Sequence, residues 1–450
     1  MSGDAIAIVG MGGRFPGASD VDGLWAGLLD EVCSVREFGR EELAAVGIPG
    51  HVLDDPRYVR SHGWLDGLEL FDAGFFGYPD DEAALIDPQH RLFLEVAWHA
   101  MEDAGLRPNS TDAAVGVFAG ASVNRYFLRH IFDPGEGEMP PGHAADYLPL
   151  RVAHKLGLTG PCVAVQAACA SSLAAVCLAA QSLLDYRCDL AIAGGATVAS
   201  PTPAGYLVRE GGLLSADGVL RPFDAAANGT VYGTGAGAVV LQRLEDVPAG
   251  LPMYAVMRGW AITNDGARRA GFATPAVAGL TEAIAEAWAA AGVGAADIGF
   301  IEAHGSGTPI GDALEVTALG SVFRGGARRC LLGSVKANLG NLDAAAGVAS
   351  LIKAALAVRH RVIPATPHHN TAHPELELAG GPFEVAVKTA PWPSDAPAFA
   401  GVTSTGLGGT NVHIVLGPAE NPAPQGITRR GLPLTRFDRR RHWLTPGGPR

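Results

Sequence analysis

Apolar and polar positions along this chain fall into short runs separated by longer helical stretches. Residues 5–10, 114–120, 190–195, 298–303, 330–335, 398–402 and 412–416 are apolar runs of strand length. Between them, residues 87–104 place Leu92, Val96, Ala100 and Ala104 on one helical face. Asp87 is the N-cap of that helix, Pro88 its first residue and Gly105 its stop. Thr274-Pro275 opens another helix through Leu280, Ile284, Ala287 and Trp288. Residues 163–165 read as a buried strand, followed by a tight turn of small residues holding Cys169. From Ser171 and Ser172 to Leu184 the chain is then apolar on every side, the pattern of a buried helix. Residues 10–18 read as a glycine-rich loop and 125–147 as a long polar loop suited to a substrate entrance or a subunit contact. Strands alternating with helices predict an α/β fold whose sheets are covered by helices.

Composition narrows the class. A chain of 450 residues with 18% charged residues can bury a large core and divides naturally into two halves. A net charge of -13 argues against nonspecific nucleic-acid binding. No apolar run is long enough to span a bilayer, and the N-terminus has no secretion pattern. The six cysteines have neither paired nor metal-ligand spacing, so no metal site and a reducing cytoplasm are expected. The loop GMGGRFPGA lacks G-x-G-x-x-G spacing and is not read as nucleotide-binding.

Chemistry concentrates on turns that follow strands. Cys169 sits where a strand meets a helix N-terminus, whose unpaired N–H groups and dipole favour the reactive thiolate. Position alone equally allows a packed thiol, like Cys162, Cys177 and Cys188. His304 follows a strand in EAHGSGT. Lys336, Asn341 and Asp343 follow another in KANLGNLDAAAG, and Thr405, Leu407 and Gly408 lie in TSTGLGGTN.

These segments resemble one family. ACASSL is similar to the A-C-S-S-S-L signature of β-ketoacyl synthases, the condensing enzymes of polyketide and fatty-acid synthesis. IVGMGGRFPG, DPQHRLFLEVAW and the stretch from RPFD to GTGAGAVVL match further motifs, so the resemblance runs from about residue 5 to 416. It implies the thiolase fold, two similar halves in a layered αβαβα arrangement, usually as a homodimer. It implies that Cys169 accepts an acyl chain, that His304 acts as a base or hydrogen-bond donor, and that Lys336 and Asp343 support the site. The N–H groups of Cys169 and Leu407 would form the oxyanion hole. Gln166, Thr405, Thr308 and Gly408 would line the pocket.

The departures matter as much. Asn341 stands where the family has the histidine that helps decarboxylate a malonyl extender. An amide cannot carry a proton between steps or become cationic. Thr405 and Leu407 replace two gatekeeper phenylalanines, Gln166 an aspartate, Thr234 a glutamate, and Asp343 the longer Glu. The expectation is therefore a ketosynthase-like enzyme that loads Cys169 and then cyclises and releases the chain without extending it, with His304 as base. Such an enzyme would resemble the cyclases of γ-lactam–β-lactone (salinosporamide-type) biosynthesis. A transacylase passing the chain between carriers and an ordinary elongating synthase are the alternatives.

The division expected is 1–252, carrying Cys169; 253–418, carrying His304 and Asn341; and an Arg/Pro-rich tail, 419–450. The tail can wrap back through Leu434, Phe437 and Trp443. With no carrier or acyltransferase motif in it, the chain reads as a free-standing protein. The substrate would arrive on the phosphopantetheine arm of an acyl or peptidyl carrier protein, with no bound cofactor. Arg429, Arg430 and Arg439–Arg441 are candidate contacts for that acidic partner; nucleic acid and membrane are not expected.

Overall fold

The computed structural model describes residues 4–132, 142–248, 251–272, 274–323, 329–378, 380–393, 398–419 and 431–444. Its centre is an eleven-stranded mixed sheet. In chain order the strands are β1 Ile6–Arg14, β2 Val115–Ala121, β3 Cys162–Ala164, β4 Leu190–Thr197, β5 Gly235–Arg243 and β6 Ala255–Asn264. They continue as β7 Ile298–Glu302, β8 Cys330–Gly333, β9 Phe383–Val385, β10 Phe399–Thr405 and β11 Thr410–Gly417. The spatial order is β9-β8-β7-β10-β11-β6-β1-β5-β4-β2-β3. Read outward from the middle, β1-β5-β4-β2-β3 and β6-β11-β10-β7-β8 repeat one pattern of parallel and antiparallel pairs. Among the described residues the two halves share the sheet only through Ile6–Ile8 of β1, which pair with Met257, Val256 and Ala255 of β6.

Six helices make the layers: α1 Pro88–Asp103, α2 Tyr147–Leu156, α3 Ser171–Leu184, α4 Val277–Ala291, α5 Pro309–Val322 and α6 Ala346–His360. Helices α3 and α6 form the middle layer, packed with Ile6, Ile8, Val239 and Leu241 of one half and Ala400, Val412 and Ile414 of the other. The alternate residues Ala7, Val9, Ala238 and Val240 face outward onto α1 and α2, as strand periodicity requires. Ile301, Leu332 and Val415 do the same under α4 and α5. The αβαβα layering expected of the thiolase fold is therefore present.

Several local readings change. Residues 11–14 continue β1 rather than forming a loop. Gly10 and Gly12 are there for closeness: a Cβ on either would meet the Ala100 or Val96 carbonyl at 2.5 or 2.3 Å, so α1 lies directly on the strand. The strand before Cys169 is not buried. As β3 it forms the sheet's outer edge, with Val163 40% exposed. In α3, Leu178 reaches solvent. Helix α4 begins at Val277, and the Thr274 carbonyl instead accepts a hydrogen bond from Arg269 Nε. Within the expected 125–147 loop, Phe127–Ile131 is a π-helix.

The tail does wrap back. Arg440–Arg441 pair with Leu70–Phe71, Phe437 packs on Phe75, Phe76 and His99, and Trp443 packs on Tyr126 and His130. Leu434 is half-buried. Arg439 is spent on this docking, with its Nε 2.8 Å from the buried Glu95 carboxylate. Arg440 pairs with Asp438 at 3.6 Å and Arg441 is exposed; Arg429 and Arg430 lie outside the described residues. Among the described residues no helix is long and apolar enough to cross a membrane.

Candidate active site

Cys169 sits in a single 3-10 turn, Ala168–Ala170, directly before α3. Two contacts fix that turn. Ser171 Oγ accepts from the Ala167 N–H at 2.8 Å and donates to the Ala168 carbonyl. From the other half, Ser404 Oγ donates to the Cys169 carbonyl at 3.0 Å. The loop 406–409 presses on the same turn, and a Cβ on Gly406 would stand 2.2 Å from the Ala167 carbonyl. In that loop the Leu407 side chain points outward, 46% exposed. Its N–H donates to no other group among the described residues.

The sulfur's neighbours come from the turn after β8. Asp343 Oδ1 lies 3.4 Å from Cys169 Sγ and accepts its S–H. The Asn341 side chain stands on the same side of the sulfur and works weakly the other way, favouring its anion. Its Oδ1 accepts from the Asp343 N–H at 3.1 Å. Asn341 is held rigidly: its N–H donates to the Val231 carbonyl at 2.7 Å and its carbonyl accepts from the Gly233 N–H at 2.9 Å.

The expected thiolate is not what this environment favours. Burial, then the Asp343 charge, push the Cys169 thiol up to about 12, and Lys336 opposes them only in part. The helix N-terminus is present, but a carboxylate touching the sulfur and the loss of water outweigh it.

His304 is set by its turn. Glu315 of α5 accepts the His304 and Gly305 N–H groups at 2.7 and 2.8 Å, and Asp312 accepts those of Phe223 and Gly307. Burial raises Glu315 to about 6 and Asp312 to about 7. Lys336 Nζ donates to the His304 carbonyl at 2.6 Å, so it supports this turn rather than pairing with Asp343. The Thr405 N–H points at His304 Nδ1 from 3.3 Å. With Nδ1 accepting, the ring hydrogen belongs on Nε2. Burial, and next to it Lys336, hold His304 well below its ordinary range. This neutral ring is built to donate a hydrogen bond from Nε2, not to serve as the base.

A cavity of about 260 Å³ shares Ser122 with the site and is lined also by Gln166, Asn124, Phe127, Leu128 and His143. Of the residues predicted to line the pocket, Gln166 does so. Thr405, Thr308 and Gly408 lie on the His304 side instead: Thr308 beside Ser306 on its turn, Gly408 next to the exposed Phe272. The sequence reading missed Ser122, whose Oγ lies 2.7 Å from Asp343 Oδ2. It is the first residue after β2, and the rule that special residues follow strands could have found it. It also missed Tyr232, which bridges Asn341 across the backbone. Burial, then the charges of Cys169 and Asp343, raise its phenol. Thr234 proves structural, its Oγ1 3.0 Å from His62 Nε2. Among the described residues no group of acidic, cysteine and histidine side chains is placed to hold a metal ion.

Residues 3–247 match the family model described as Beta-ketoacyl synthase, N-terminal domain, and 254–370 match the C-terminal domain. A phenolphthiocerol/phthiocerol polyketide synthase component from Mycobacterium tuberculosis is 44% identical over 437 residues, 93% of this chain and 29% of that protein. Polyketide synthase GfsE of Streptomyces halstedii is 40% identical over 94% of this chain and 11% of that protein. The chain thus spans less than a third of the length of these relatives. Among solved structures, ketosynthase twelve of the bacillaene polyketide synthase from Bacillus amyloliquefaciens is 35% identical, with a TM-score of 0.86 over 93% of this chain and 76% of that one. An oxazolomycin ketosynthase domain from Streptomyces albus is 32% identical, with a TM-score of 0.82, over 94% of this chain and 76% of that one.

Proposed function

Because the chain belongs to the beta-ketoacyl synthase family and is built like the ketosynthase domains of polyketide synthases, we propose that it takes an acyl chain onto Cys169 and closes it into a ring without extending it. The chain arrives on the phosphopantetheine arm of a carrier protein. The observation that carries the reading is Asn341, an amide fixed by its backbone on both sides and by its Oδ1 to the Asp343 N–H, beside the sulfur. It can donate to an oxygen, but it cannot become a cation that stabilises the enolate left by lost CO2.

In the loaded state, the Leu407 and Cys169 N–H groups are the candidate oxyanion donors. His304 Nε2–H is a further donor for an oxygen gaining charge. The α-carbon of the bound chain gives up a proton, the enolate so formed adds to the chain's own ketone, the resulting alkoxide attacks the thioester carbonyl and breaks its bond to Cys169, and the expelled thiolate takes up that proton. The cavity beside Ser122 and Gln166 holds the chain. A second copy of the chain completes the assembly by pairing along the open edge of β3.

Ordinary elongation is the second reading, favoured by the polyketide synthase relative that is 44% identical to this chain. The test gives the protein a carrier-bound β-ketoacyl chain and malonyl-carrier, and follows products by mass spectrometry and CO2 release. Ring product without CO2 supports the proposal. A chain longer by two carbons with stoichiometric CO2 establishes elongation, and an unchanged chain on a second carrier establishes transfer alone.

A further inference from the structure

Beyond Asp343 lies a row of hydroxyls whose hydrogens do not suffice for the contacts they make. Asp343 Oδ2 is 2.7 Å from Ser122 Oγ, Ser122 Oγ is 2.7 Å from Thr197 Oγ1, and Thr197 Oγ1 is 2.6 Å from the Leu342 carbonyl oxygen. Each of these three contacts needs one hydrogen. Two hydroxyls supply two, and the carbonyl supplies none. The one member able to gain a third is Asp343. With Asp343 ionised one contact goes without a hydrogen; once Asp343 has taken up a proton and its carboxyl turns to present it from Oδ2, the row reads Asp343 to Ser122 to Thr197 to Leu342 and every contact is satisfied. The other oxygen of the same carboxyl faces Cys169 Sγ at 3.4 Å. Ser122 is itself fixed, its N–H donating to Gln89 Oε1 at 2.9 Å and its carbonyl accepting from Gln89 Nε2 at 3.1 Å.

We propose that Asp343 is a catalytic residue, the acceptor and temporary store of the Cys169 proton during acyl loading. The inference rests on the reading that Cys169 is the residue loaded. It gives the half-buried thiol a route to reaction that does not pass through a standing thiolate. As the sulfur attacks the thioester carbonyl carbon, its proton moves to Asp343 and the new carbon–sulfur bond forms. The tetrahedral intermediate then collapses and the bond from carbon to the pantetheine sulfur breaks. The departing sulfur takes the proton back from Asp343. The products are acyl-Cys169, a free pantetheine thiol and the original carboxylate. The role of base thus falls to Asp343, the neutral His304 ring being a donor.

The test compares two reactions of the same sulfur at pH 7, both read by intact-protein mass spectrometry. One is acylation by the octanoyl thioester of N-acetylcysteamine, which must protonate a leaving thiolate. The other is alkylation by iodoacetamide, whose iodide needs no proton. Asp343 has φ +45°, a region asparagine tolerates well, so Asp343→Asn keeps the turn. We expect Asp343→Asn to acylate at least about 100-fold more slowly, the lower range for a lost general base. Its alkylation rate should hold or rise, because an anion beside the sulfur is gone. Asp343→Glu should recover part of the acylation, and Ser122→Ala should slow acylation more than alkylation. Acylation of Asp343→Asn within threefold of the native rate overturns the proposal, as does a parallel change in the two rates. A native protein that alkylates at Cys169 but never acylates there removes the loading reading itself, and this inference with it.

Discussion

If Asn341 is what blocks decarboxylation, replacing it by histidine should confer that step. The backbone at 341 is pinned by hydrogen bonds to Val231 and Gly233, and Gly340 enters it at φ +78°. The new side chain must therefore leave in the same direction. Imidazole Nδ1 branches where the amide Oδ1 does now, and it accepts from the Asp343 N–H only while the ring is neutral, giving up that contact when the ring takes charge. Nε2–H is then left facing the sulfur. The amide can already donate one neutral hydrogen bond, so the gain is the difference between a neutral donor and one able to take positive charge. Charge-assisted hydrogen bonds are about twice as strong as neutral ones, and a single oxyanion donor contributes about 3 kcal/mol to a transition state. The difference is about 1.5–3 kcal/mol, or a roughly 10- to 100-fold faster decarboxylation. Single-turnover CO2 release from malonyl-carrier measures it, with Cys169 acylation as the control for an intact site. If Asn341→His acylates normally and releases CO2 no faster than the native chain, the amide is not the block.

Three further outcomes follow from the same geometry. With the Cys169 thiol held near 12, alkylation by iodoacetamide should climb about tenfold per pH unit from 7 to at least 10; a plateau near pH 8 contradicts the site as described. Glu315→Gln replaces one acceptor oxygen by an amide that cannot accept from a backbone N–H, leaving one of the His304 turn's donors buried and unpaired. It should cost about 2–3 kcal/mol in urea unfolding and lower acylation, and an unchanged midpoint argues against the clamp. Trp443→Ala removes the ring stacked edge-on against Tyr126. For this half-buried side chain a loss of about 1–2 kcal/mol is expected, with faster proteolysis of the tail; no change in either means the tail is not anchored there.

The strands, the helices and the turns that carry Cys169, His304 and Asn341 were legible because each rests on local pattern. The Asp87-Pro88 helix start holds, with Asp87 accepting from the Gln89 N–H at 2.9 Å. What failed needed knowledge of neighbours. Residues 11–14 look like a loop because glycine lacks strand propensity, and only the approach of α1 explains them. The exposure of β3 depends on its place at the sheet edge, which no residue in it announces. The thiol's character was misjudged because helix position is local, while Asp343 is 174 residues away. His304 as donor depends on the Thr405 N–H, 101 residues on.

The reactive sulfur and its attendants belong to different halves of the molecule, and among the described residues three residue pairs of β1 and β6 are all the ladder that joins them. Competence is therefore a property of the seam. A small slip of one half against the other would leave the strands and helices in place and still part the Cys169 turn from Ser404 and Asp343. Because α3 and α6 share one core across that joint, a substitution there should weaken Cys169 acylation and lower the stability of both halves together.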